Sequence, residues 1–180
     1  MADKSPPNIT HFHRAALHSL IFDPDQWESK YAEMLSKDAN PSGYSTLLGF
    51  SLGVALRRKF PSTWSLADVI KYVAHLRIAL GGESNLIPSL AEKIIRLLLN
   101  DKLLKDAPPF GSDSAGVLAT EHLLLMALVA EADLDAAALY ELINEAADKA
   151  REFDWSALAL QGTAGSLQAE GTRAITGDVQ

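Results

Sequence analysis

Three histidines, His11, His13 and His18, crowd the start of the chain, with Asp23 and Asp25 a few positions on. Imidazole and carboxylate are the groups a zinc or iron site uses, and such a site needs three or four of them converging. On a helix His11 and His18 share a face at seven-residue spacing while His13 points elsewhere, and none has the i, i+4 partner that helical metal sites favour. The trio reads as a solvated polar face; an enzyme or metal-binding protein built on these histidines is the alternative. His75 and His122 each fall inside an apolar helical pattern, where a histidine is ordinarily a boundary residue hydrogen-bonded to backbone or carboxylate. A catalytic role would require a nucleophile at recognisable spacing, and none accompanies them. Gly49-Phe50-Ser51-Leu52-Gly53 copies the letters of a nucleophile elbow, but the elbow needs a strand before it and this stretch is helical throughout. With no cysteine in the chain, disulfides, thiolate metal sites and a cysteine nucleophile are excluded. No catalytic, cofactor-binding or metal-ligating residue is assigned, and no cofactor is expected.

Binding is the more natural use of the remaining polar residues. Arg57-Arg58-Lys59 is the sole basic run, placed where a helix ends and its last carbonyls attract cations. Its ordinary role is dipole complement and solubility. Its sharper role is a docking point, taken either by the acidic last third of the chain or by an acidic partner. Tyr140 and Trp155 join it as partner-binding candidates, since tyrosine and tryptophan are over-represented at hot spots. The expected partner is another protein, or a second copy in a homodimer. Two helical patterns at 66–80 and 88–100 invite comparison with a DNA-binding helix-turn-helix. Their connection of seven residues, Gly81 to Ile87, is longer than the usual three or four, and the second helix offers only Glu92, Lys93, Arg96 and Asn100 as readers. A helical DNA-binding regulator stands as the alternative function.

Charge supports that order. The net charge is −7; residues up to Phe110 carry 13 basic against 11 acidic side chains, and those from Gly111 onward carry 3 against 12. An acidic surface repels phosphate backbones, so nucleic acid is disfavoured. The most apolar stretch, Thr46 to Leu56, is 11 residues, too short for the roughly 20 of a membrane span. No export signal is visible at the N-terminus, and a cytoplasmic location is expected.

The elements that must position these residues are all helical. A 180-residue chain with 48% hydrophobic and 22% charged residues can bury one core. Thr10 caps a first helix; Asp23-Pro24-Asp25-Gln26 opens a second, running to about Lys37 with Trp27, Tyr31, Met34 and Leu35 inward and Phe22 stapled against Trp27. After Asn40-Pro41-Ser42-Gly43, the segment from Tyr44 to Phe60 is apolar all round, the pattern of a buried central helix. Gly49 and Gly53, four apart, predict close approach of a neighbouring backbone. Val69, Ile70, Val73, Leu76 and Leu80 form the inner face of the helix capped by Ser65 and Asp68. Leu90, Ile94, Ile95, Leu97 and Leu98 form that of the next, which starts at about Pro88 or Ser89, with Ser89 and Glu92 as an alternative capping box. Residues 117–130 and 136–153 form an acidic C-terminal hairpin, the second helix capped by Asp133 or Asp135 and lined by Leu139, Leu142, Ile143, Ala146, Ala147, Ala150 and Phe153. The prediction is an all-α, single-domain bundle of six to eight helices over 1–160, with a sub-boundary at 106–114 and a mobile tail over 161–180.

Overall fold

A computed structural model describes residues 7–81, 86–104 and 114–155. Among these the chain is all-α, without a strand: α1 (His11–Phe22), α2 (Pro24–Gln26), a π-helical stretch (Trp27–Ala32), α3 (Glu33–Ser36), α4 (Pro41–Lys59), α5 (Leu66–Ala79), α6 (Pro88–Leu98), a 3₁₀ turn (Lys102–Leu104), α7 (Ser114–Glu131) and α8 (Ala136–Glu152). The backbone stays helical through Gln26, Trp27, Ala32 and Glu33, so α2, the π stretch and α3 form one irregular rod. The tail over 161–180 and the sub-boundary at 106–114, apart from Ser114, lie outside the described residues.

Local chemistry sets the starts. The Thr10 hydroxyl accepts the His13 amide, Asp23 that of Gln26, Ser65 that of Asp68 and Asp135 that of Ala138, each filling an orphan donor of a first turn. Gly81, at φ 77°, follows α5 in the left-handed conformation that glycine adopts without strain. Asp133, at φ 49°, takes the bend after α7, which leaves Asp135 as the α8 cap. Two local expectations differ. Asn40 and Pro41 begin α4 rather than ending the rod before it, because proline is tolerated in a first turn. The alternative box of Ser89 and Glu92 is not formed, since α6 takes the other predicted start, Pro88, behind Ile87.

The buried central helix is α4. Tyr44, Leu47, Leu48, Leu52, Val54 and Leu56 are buried all round it, and α8, α7, α1 and α6 pack against it. The two legs of the C-terminal hairpin each take α4 as their main partner. α8 inserts Leu139, Leu142, Ile143, Ala146, Ala147 and Ala150, the stripe read from its sequence, while Phe153 falls past its end and is 42% exposed. Leu124, Leu125 and Leu128 of α7, Ile94 and Ile95 of α6, and Ala16 and Leu17 of α1 complete one core. Met34 is exposed because the π-helical stretch rotates α3 relative to a regular 3.6-residue pattern. Phe22 is also exposed, its ring stacked on His18.

α5 joins this core from its edge, packed chiefly on α6. It buries Val69, Tyr72, Val73 and Leu76, while Ile70 and Leu80, expected inward, are exposed. No described helix is long and apolar enough to cross a membrane.

Candidate functional site

The basic run at the end of α4 divides in two. The Arg58 guanidinium donates to Glu145 of α8 at 2.6 Å, and the Lys59 ammonium to Glu131 of α7 at 2.8 Å while lying over the Tyr72 ring. The acidic last third thus folds back onto these two cations. Arg57 differs: its Nη1 donates to the Leu98 carbonyl at 3.3 Å, and it has no carboxylate partner among the described residues.

The N-terminal histidines do not converge. His11 is exposed; His18 donates to the Ala136 carbonyl at 3.1 Å, between the rings of Phe22 and Tyr140. His13, expected on a solvated face, is 1% exposed. Its Nδ1 accepts the Thr10 amide at 3.2 Å, which fixes the proton on Nε2, and Nε2–H donates to Asp38 at 2.6 Å. The pair resembles the orienting half of a catalytic triad, yet the nitrogen that would take a proton is closed by the helix cap, so the histidine holds structure together. The Asn40 amide, first, and then His13 keep the Asp38 carboxyl below its ordinary range. No three His, Asp or Glu side chains among the described residues are placed to hold a metal ion.

His75 is exposed on α5, not at a boundary. His122 is half-buried on α7, with its Nε2 at 3.0 Å from the Tyr44 hydroxyl and its ring against Trp27 and Tyr44. Burial lowers the imidazole to about 4 and raises the neighbouring Glu121 carboxyl to about 7.

The space near Arg57 is a groove of about 530 Å³ between α4, the end of α6 and the end of α8. Ser45, Thr46, Gly49, Phe50, Gly53 and Arg57 line its α4 side at three- and four-residue steps. Across it stand Leu97, Leu98 and Asn100, then Lys149, Phe153 and Trp155. Trp155 is held there because its indole N–H donates to the Ala150 carbonyl at 2.9 Å, capping the last turn of α8. Among the described residues no backbone approaches Gly49 or Gly53 as predicted. A Cβ at Gly49 would meet Glu121, at 3.9 Å, and one at Gly53 the Arg57 guanidinium. The glycines open this flank of α4 instead of letting a helix close it. Of the partner-binding candidates, Arg57 and Trp155 meet in this groove; Tyr140 is elsewhere, against His18, and Arg58 and Lys59 face α8 and α7.

A second surface was hidden in the α5 pattern. Leu66, Ile70, Ala74 and Ile78 recur every four residues along its outer face, all exposed, with Ile78 at 77%. Among the described residues, five of the eleven large exposed hydrophobics lie from Leu66 to Ile87. Ile70, Val73, Ala74, Arg77 and Ile78 of α5 and Pro88 and Glu92 of α6 line a groove of about 500 Å³ there. The spacing was visible, but α5 carries two apolar stripes and nothing in its sequence says which is covered. α6, the would-be recognition helix, packs against α5, α4 and α7, and Arg96 is taken by Asp101 at 2.7 Å. No protein-family model, curated protein or solved structure matches this chain.

Proposed function

We propose that the protein is a cytoplasmic, non-enzymatic interaction module that works as a homodimer through the outer face of α5 and α6. The observation that carries this reading is the Leu66, Ile70, Ala74, Ile78 stripe, exposed among the described residues. Contiguous exposed apolar surface of this kind marks interaction sites. The occupant is a second copy because the groove is self-complementary. Among the described residues it bears one cation, Arg77, and one anion, Glu92, so a two-fold axis sets each against its opposite on the partner. Ala74, small and mid-stripe, lets two α5 helices cross closely, with Ile70 and Ile78 packing on either side.

Sedimentation equilibrium tests the proposal. A dimer is expected, converted to monomer by Ile78→Glu with helical circular dichroism unchanged. Arg77→Glu should weaken the dimer and the added exchange Glu92→Arg should restore it. A wild-type chain that stays monomeric at every concentration, or a dimer indifferent to Ile78→Glu, overturns the reading.

A further inference from the structure

We infer that the groove between α4, α6 and the end of α8 binds a small organic anion: a carboxylate on a flat aromatic body. It shares no lining residue with the α5–α6 face and does not rest on the dimer reading.

The groove has the size of a small-molecule site, which spans roughly 300–1,000 Å³, and the composition of one, mostly apolar with few polar groups. Its apolar part is aromatic. Phe50, Phe153 and Trp155 pack with centroids 5.0 to 6.0 Å apart, each tilted against the others, leaving ring faces and edges toward the opening. A further planar ring extends such a cluster in offset or edge-to-face geometry. Gly49 supplies the clearance, and Gly53 the space in which the Arg57 guanidinium lies.

Charge selects the other half of the ligand. In a chain of net charge −7, both charged residues lining the groove are cations, Arg57 and Lys149. The bond from Arg57 Nη1 to the Leu98 carbonyl fixes the guanidinium over Gly53 and leaves its other donors open among the described residues. A planar fork of this kind suits a carboxylate, which it can hold with two parallel hydrogen bonds. Lys149 adds a point charge. Three acids stand near. Glu145 is held by Arg58 at 2.6 Å and by Lys149 at 3.6 Å; Asp154 adjoins the two aromatic residues in sequence; a Glu121 carboxyl oxygen stands 3.9 Å from where a Gly49 Cβ would lie. None of the three is among the described residues that line the groove. Ser45, Thr46 and Asn100 are its other polar residues.

The test is calorimetric titration of the full chain with 2-naphthoate and with its neutral counterpart 2-naphthalenemethanol. The acid should saturate one site per chain and bind more tightly than the alcohol. Arg57→Gln should weaken the acid by about tenfold and Lys149→Gln by a smaller factor, with the alcohol unchanged in both. Gly49→Leu, at the α4 position with free space beside it, should abolish binding of either compound with the melting midpoint retained. Tryptophan quenching by the acid should vanish in Trp155→Phe. No saturable binding, equal affinity for acid and alcohol, or an acid affinity indifferent to both cation variants overturns the assignment.

Discussion

The two halves of α4 treat their glycines in opposite ways. At its first turn the helix is clamped: a Cβ on Gly43 would lie 2.6 Å from the Asn8 carbonyl oxygen and 2.7 Å from His13 Nδ1, inside the cap that joins Thr10, His13 and Asp38. Two turns later Gly49 faces almost empty space, and Gly53 meets only the flexible end of Arg57. A glycine on a helix thus reports either close approach or deliberate vacancy, and only its neighbours say which. The clamped end holds the N-terminal segment on the core; the open flank leaves a cleft with aromatic residues and cations around it.

Adding a methyl group at each end breaks the symmetry of the sequence most directly. Gly43→Ala should lower stability by about 1–3 kcal/mol, the cost of overpacking a site whose neighbours are backbone and a bonded ring. Denaturant midpoints measure it, and an unchanged midpoint would show that the clamp is slack. Gly49→Ala should act in the other direction, raising stability by about 0.5–1 kcal/mol through helix propensity, because its nearest foreign atom is 3.9 Å away. A loss there would mean that the flank is closed.

Between the two ends α7 presents Glu121 toward Gly49 and His122 toward Tyr44, and their protons sharpen the contrast. Glu121, raised from 4.5 to about 7 by burial, holds more protons folded than unfolded, so it withdraws stability as pH rises through that range. His122, lowered from 6.5 to about 4 by burial, holds fewer, so it withdraws stability as pH falls from 6.5 toward 4. The slopes oppose each other where the ranges overlap. Glu121→Gln should expose the histidine alone: unfolding free energy measured at pH 8, 6.5 and 5 should fall more steeply on acidification than in the wild type, with a gain at pH 8. Parallel profiles for the two proteins would remove Glu121 from the account. The smallest effect belongs to the exposed Arg58–Glu145 pair, where a double-mutant cycle should give no more than about 1 kcal/mol.

Much of the fold was legible because its signals are local. Thr10, Asp23, Ser65 and Asp135 each bond an amide three residues ahead, so the residue types alone placed three helix starts and narrowed the fourth to Asp133 or Asp135. The all-round apolarity of α4 also announced its burial. The candidate sites were less legible. Arg57 and Trp155 stood out as a basic run and a lone indole, but Phe50, Lys149 and Phe153 looked like core or surface residues until the helices brought them together. Ile70 and Leu80 were read as core because α5 is apolar on two sides, and Met34 because the π-helical turns shift its face.

The amino-acid sequence alone determined that this chain is helical, where three of its helices begin and which rod lies at the middle, since capping and periodicity act within a few residues. Only the tertiary structure decided that His13 is buried against Asp38, that Arg58 and Lys59 meet Glu145 and Glu131, that Gly43 is clamped while Gly49 is open, and that the 66–70–74–78 stripe faces outward. Burial depends on which distant surface arrives, and contacts spanning 25 to 87 residues leave no mark in the local pattern of either partner.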